Sequence, residues 1–190
     1  MEIARLLLLK QGHGMTIMTR PNIIITGFMG TGKTTVGKLL ATQLGYDFID
    51  TDELIVVRSG QTVEEIFREK GEDAFREMEA AVALELGGKE GLVISTGGRT
   101  MLDPTNAAAL SKRGRVFCLV ATPEEILDRL GRDPEIRRPL LDGPDPMARI
   151  VEIMREREEG YARFPQLVTS GKSPEELTNL LLEIIQSESA

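Results

Sequence analysis

Lys33 and Thr34 follow Gly27 and Gly32 at the spacing G-x-x-x-x-G-K-[ST], and two carboxylates, Asp50 and Asp52, come soon after. This is the chemistry of phosphate handling. Backbone N–H groups of such a loop cradle phosphates, the lysine reaches the outermost ones, and the hydroxyl is offered to Mg²⁺. Glycines let the backbone approach a phosphate closely and adopt positive φ where the turn requires it. Gly30, Thr31, Gly32, Lys33, Thr34 and Thr35 are therefore the nucleotide-binding candidates, with Thr34 on the metal side. Phosphoryl transfer from ATP also needs a carboxylate to take the acceptor hydroxyl's proton. Asp50 and Asp52 lie two residues apart at an expected strand end, so one can face the metal and the other the acceptor. A helix N-cap also accounts for one member of the pair.

The elements that would position these groups are legible on either side. Ile23-Ile24-Ile25 has strand composition, and 35–41 carries apolar residues at helical spacing. From Asn22 onward, apolar runs alternate with helical segments, the pattern of βα units around a parallel sheet. Strands are expected at 22–26, 47–50, 91–95, 115–120 and 166–169. Helices are expected at 33–44, 52–58, 62–69, 72–87, 104–113, 123–131 and 147–163, with a last one opened by Ser173-Pro174-Glu175-Glu176. In open parallel sheets, ligands collect beyond the carboxyl ends of the strands. Three such ends carry unusual residues: the glycine loop, Asp50-Thr51-Asp52, and Gly97-Gly98-Arg99.

Composition narrows the function classes. A formal charge of −7 argues against a general nucleic-acid binder, which needs a basic excess. Cys118 is alone in an apolar run, which excludes a disulfide framework and assigns it to core packing. His13 is the single histidine and lies in the leading segment, so neither a Ser-His-Asp arrangement nor a multi-histidine metal site is expected. Residues 1–20 read as a segment outside one domain spanning 21–190. They are a disordered tail, an extra edge strand, or an upstream reading of the start. Leu6 to Leu9 is too short to span a membrane and lacks the features of a signal peptide, so a cytoplasmic protein is expected.

Two further groups of cations stand out. Arg76 lies in Gly71-Glu72-Asp73-Ala74-Phe75-Arg76-Glu77-Met78-Glu79, where a solvated arginine on a charged helix is the plain alternative. The proline-rich stretch 132–147 holds Arg132, Arg137 and Arg138 and reads as a mobile lid, suited to closing over phosphates and excluding water.

Taken together, these motifs resemble the shikimate kinases, small kinases with the nucleoside-monophosphate-kinase fold. The resemblance covers about residues 22–188. It rests on the phosphate loop Gly-Phe-Met-Gly-Thr-Gly-Lys-Thr, Asp50-Thr51-Asp52, Phe75-Arg76-Glu77-Met78-Glu79, Gly97-Gly98, Arg138-Pro139-Leu140-Leu141, and Arg157 four residues before Tyr161. It implies a three-layer α/β sandwich with a five-stranded parallel sheet of order 2-3-1-4-5. It also implies acceptor-binding helices at about 52–87.

By resemblance, Asp52 holds the acceptor hydroxyl and serves as its base, and Asp50 partners Mg²⁺ from the second sphere. Arg76 and Arg157 grip the acceptor's carboxylate, as guanidinium forks do. Glu79 orients Arg76, Gly97 and Gly98 offer backbone N–H groups, and Arg138 meets the transferring phosphate with Lys33. Arg129 or Arg132 lies against adenine. The implied activity is transfer of the ATP γ-phosphate to the 3-hydroxyl of shikimate in aromatic amino-acid biosynthesis, by a monomer.

The chain departs from that family at Arg99, where a third glycine stands, in a longer segment between Arg129 and Arg138, and in residues 1–20. Arg99 keeps two alternatives open. One is a kinase of another carboxylated or polyhydroxylated metabolite such as gluconate, and the other is a nucleotide-binding paralogue without transfer activity.

Overall fold

A computed structural model describes residues 20–132, 141 and 143–187. The run Asn22–Gly27 forms β1, buried at every residue because it lies in the middle of the sheet with helices on both faces. Ile23 and Ile25 pack toward one face and Ile24 toward the other, all at 0–1% exposure, each contributing roughly 1.5–3 kcal/mol of apolar burial. The buried Asn22 side chain bonds to the carbonyls of Leu86 and Lys89 and to the N–H of Leu92, fixing where the strand starts.

After β1 come α1 (Lys33–Leu44), β2 (Asp47–Asp50), α2 (Thr51–Ser59), α3 (Val63–Gly87) and β3 (Leu92–Ser95). A short 3₁₀ turn (Thr100–Leu102) leads into α4 (Pro104–Ser111), β4 (Gly114–Val120) and α5 (Pro123–Gly131). The last elements are α6 (Pro146–Ala162), β5 (Gln166–Val168) and α7 (Pro174–Ser187). All strand pairs are parallel, in the expected order β2-β3-β1-β4-β5. Strand and helix ends differ from the sequence-based bounds by a residue or so, the usual fraying. The expected helices 62–69 and 72–87 form one element kinked at Gly71, whose φ of 86° and ψ of 172° break the helical path.

Three apolar clusters hold the layers. Ile24 and Ile94 pack with α2, α3 and α4, and Ile23, Ile25 and Val93 with α1 and α7. Phe28, Cys118, Ile126 and Ile153 bind α5 and α6 beneath the phosphate loop, so Cys118 has the packing role expected of it. Parallel strands put every carboxyl end on the same side. There Asp50 is level with Ser95, and Ser95 with Ile25. The three unusual strand ends therefore meet along one edge.

Candidate active site

The loop from Phe28 to Lys33 joins β1 to α1. Gly32 is the N-cap of α1 at φ 92°, a left-handed conformation that suits glycine, and it brings no side-chain cap. No acidic residue occupies the first turn of α1. The N-terminal N–H groups and the positive end of the helix dipole thus face an anion position without a built-in competitor. Lys33 Nζ donates to the Phe28 carbonyl at 2.8 Å, and Thr31 Oγ1 donates to the same carbonyl at 2.8 Å, which lays the lysine along the loop. Burial lowers the Lys33 ammonium to a pKa of about 8, against the pull of Asp52 and Asp50.

Arg129 comes from α5 and donates to the loop carbonyl of Gly30 at 3.3 Å and to Thr169 Oγ1 at 2.9 Å. Arg132 instead pairs with Asp128 on the exposed face of α5. Arg137 and Arg138, with most of the expected lid, lie outside the described residues.

Of the two sequence-level readings of the aspartate pair, the helix N-cap is met by Asp50. Asp50 Oδ1 caps α2, accepting from the N–H groups of Asp52 (3.1 Å) and Glu53 (3.4 Å), while Oδ2 accepts from Thr34 Oγ1 at 3.1 Å. Thr51 Oγ1 accepts from the N–H of Gly97 at 2.9 Å and stitches the ends of β2 and β3 together. Asp52 is different. Its Oδ1 is buried without a hydrogen-bond partner in the protein, an expensive state for a carboxylate oxygen. Burial, then the charges of Asp50 and Glu79, push its carboxyl up to a pKa of about 6, against Lys33 and Arg76.

Gly97 and Gly98 bring the remaining groups to Asp52. Neither has positive φ; each is glycine for space. A Cβ on Gly97 would stand 2.5 Å from Asp52 Oδ1 and 3.0 Å from Glu79 Oε1, and one on Gly98 would stand 2.9 Å from Arg157 Nη1. Glu79 is 2% exposed, accepts from Thr100 Oγ1 at 2.6 Å, and pairs with Arg76 one turn earlier on α3. Arg157 is 8% exposed. It donates to the Gly98 carbonyl at 3.3 Å and lies 5.6 Å over the Phe28 ring. Tyr161, one turn along α6, donates to the same carbonyl at 2.6 Å. Asp52, Arg76, Glu79, Gly97, Gly98 and Arg157 are thus contiguous, and Lys33 feels both Asp52 and Arg157.

The backbone at Arg99 has φ −116° and ψ −12°, which any residue adopts, so arginine introduces no strain here. Its guanidinium points to the rim and donates to Glu72 Oε1 at 2.9 Å.

A family model described as shikimate kinase matches residues 29–186, most of the chain. The chain belongs to the shikimate kinase family. It is 43% identical to a shikimate kinase of Geobacter sulfurreducens over 166 residues, 87% of this chain and 91% of the relative. The solved shikimate kinase of Acinetobacter baumannii in complex with shikimate superposes with a TM-score of 0.83 at 35% identity, covering 90% of this chain and 95% of that one. A gluconokinase from Sinorhizobium meliloti reaches a TM-score of 0.54 at 17% identity over 90% of this chain and 99% of its own, a likeness of fold alone. Shikimate kinases are ATP-dependent enzymes that phosphorylate a shikimate hydroxyl, and membership makes this chain one of them. The alternatives raised by Arg99 have no comparable support.

Beyond the expected set, the site gathers Glu72, Thr51, Thr100 and Tyr161. Glu72 had a signal in the sequence, its i,i+4 spacing to Arg76. Tyr161 had the same spacing to Arg157. Thr51 stood inside the Asp50-Thr51-Asp52 motif with no role of its own, and Thr100 had no signal, because their partners Gly97 and Glu79 are distant in sequence.

Proposed function

We propose that this chain moves the γ-phosphate of ATP to the 3-hydroxyl of shikimate with Asp52 as the acceptor's base. The observation that carries this assignment is the buried, unpartnered Oδ1 of Asp52, between Lys33 on the nucleotide side and the Gly97, Glu79 and Arg76 group on the other. In this reading the acceptor hydroxyl donates its proton to Asp52 while its oxygen bonds to the γ-phosphorus. The bond from that phosphorus to the bridging oxygen breaks and leaves ADP. Catalysis is positioning plus charge stabilisation.

Lys33 turns from the Phe28 carbonyl to the transferring phosphate, and the N–H groups of Gly30 to Thr35 cradle the phosphate chain. Arg129, fixed beside the loop, is favoured over Arg132 for the adenine. Arg138 keeps the lid role that the resemblance implies. Arg76 and Arg157 bind the acceptor's carboxylate. Glu72 and Glu79 occupy three of the five N–H donors of Arg76, on Nε, Nη2 and Nη1, so one N–H on each terminal nitrogen remains for a fork.

The Thr34 hydroxyl and the Asp50 carboxylate fit Mg²⁺. They are hard oxygen donors 3.1 Å apart, and a cation held by few protein ligands and by substrate phosphates needs no larger cluster. Held there by Thr34 and Asp50, Mg²⁺ would supply positive charge against that of the ATP phosphates. We take the enzyme to act as a cytoplasmic monomer, as the resemblance implies, and among the described residues no helix is long and apolar enough to cross a membrane.

ADP release, measured with shikimate, with gluconate and with no acceptor on the parent and on Asp52→Asn, tests this reading. The parent should turn over with shikimate alone, and the variant should bind ATP yet transfer far more slowly. Preference for gluconate would overturn the acceptor assignment, and equal rates for the two proteins would remove Asp52 from its role.

A further inference from the structure

Glu72 occupies an unusual place at the rim of the acceptor side. Its Oε1 accepts from Arg76 Nε (3.1 Å), from Arg76 Nη2 (2.9 Å), and from Arg99 Nη1 (2.9 Å). One carboxylate oxygen therefore ties the α3 arginine to the arginine that follows Gly97-Gly98. Arg76 is held from the other side by Glu79, itself fixed by Thr100. The plane of Arg76 is thus set by two carboxylates, and only one of them is buried. Glu72 is about half exposed, and Arg99 is its second cationic partner besides Arg76.

Charge points the same way. Around this pocket Arg76, Arg99 and Arg157 face Glu72, Glu79 and Asp52, three cations against three carboxylates when Asp52 is ionised. With glycine at 99 the same group would carry an excess negative charge before an anionic acceptor arrives. An exposed acidic residue near a carboxylate-binding arginine would then oppose the ligand.

We infer that Arg99 is a positioning residue for the acceptor's carboxylate, acting through Glu72: it holds and neutralises Glu72 so that the two unengaged N–H groups of Arg76 stay aimed at the acceptor. This rests on the assignment of Arg76 to that carboxylate. Arg99 need not touch the acceptor. Its backbone is unstrained, so its removal leaves the Gly97-Gly98 turn intact. The ligand class it favours is a small acid rather than a neutral polyol.

The test is a double-mutant cycle read by steady-state kinetics and by calorimetric shikimate binding. Arg99→Gly should raise both KM and Kd for shikimate about three- to fivefold, the range of a partly exposed ion pair, with kcat kept within about twofold. Arg99→Lys should recover part of the loss. In a Glu72→Gln background, Arg99→Gly should have no further effect, and shikimate methyl ester should not distinguish the parent from Arg99→Gly. An unchanged Kd in Arg99→Gly overturns the inference. So does an effect of equal size in the Glu72→Gln background, which would mean that Arg99 meets the acceptor directly. Arg76→Lys separates the two levels: if it leaves shikimate binding unchanged, the carboxylate assignment itself fails, whatever Arg99 does.

Discussion

Gly97 lies against Asp52 so closely that a Cβ on the glycine would stand 2.5 Å from Oδ1 of the aspartate. Gly97 does not have positive φ, so the close approach itself is the restriction. Gly97→Ala should fold, because Thr51 still accepts from its N–H, yet displace Asp52 and Glu79 together. A shift of even 1 Å in a reacting group costs about 100-fold, and kcat/KM for shikimate should fall by about that factor while ATP affinity stays unchanged. Parent-like activity in this variant would mean that the carboxylate is not held where transfer needs it.

The pH profile follows from two buried groups. Asp52 must be ionised to accept a proton, and its pKa of about 6 sets an ascending limb. Lys33 must be charged, and its pKa of about 8 sets a descending one. The profile of kcat/KM should therefore be a bell with limbs near pH 6 and pH 8. A flat response from pH 5 to 7 would separate Asp52 from proton transfer.

The same shift has a consequence for stability. Burial raises the folded-state pKa of Asp52 above the ordinary aspartate value of 3.8, so the folded protein binds that proton more tightly than the unfolded chain does. This contribution favours folding at low pH and declines as pH rises from about 4 to about 6, leaving a charge that destabilises the fold above that window. Asp52→Asn should accordingly be more stable at pH 7 by up to about 3 kcal/mol, a rise in Tm of about 6–12 °C, while losing activity. Below pH 4 the gain should vanish. Thermal unfolding of both proteins across that range measures it, and a lower Tm for the variant at pH 7 would contradict the assignment of burial as the cause.

Thr34 Oγ1 and Asp50 Oδ2 are coupled at 3.1 Å, and Thr34→Val removes the hydroxyl without changing the side chain's shape. Asp50 keeps its bonds to the first turn of α2, so the fold should survive. The Mg²⁺ concentration for half-maximal nucleotide binding should rise about tenfold, as is usual when a group organising a metal's surroundings is lost. Titration of nucleotide binding with Mg²⁺ or Mn²⁺ reads this directly, and an unchanged midpoint would remove Thr34 from the metal site.

Sequence alone determined the features set by local chain geometry. The phosphate loop is continuous, and its glycine spacing, lysine and hydroxyl are fixed relative to one another by a single turn entering a helix. The alternation of apolar runs and helical segments likewise fixed an α/β sheet, since each run must be buried on both faces. Tertiary structure alone decided how separate strand ends converge. Thr51 and Gly97 are 46 residues apart, yet one hydrogen bond joins them. Arg157 and Tyr161 reach Gly98 from a helix beyond β4. Which aspartate caps the helix was equally open in sequence, because Asp50 and Asp52 look alike until each oxygen's partner is known: Asp50 Oδ1 accepts from the first turn of α2 and Oδ2 from Thr34. Arg99 shows the same limit. Whether its residue type strains the chain depends on a φ angle, and whether its charge matters depends on Glu72, 27 residues earlier. Residue types and short spacings carry the chemistry that is available, but only packing sets the directions in which it points.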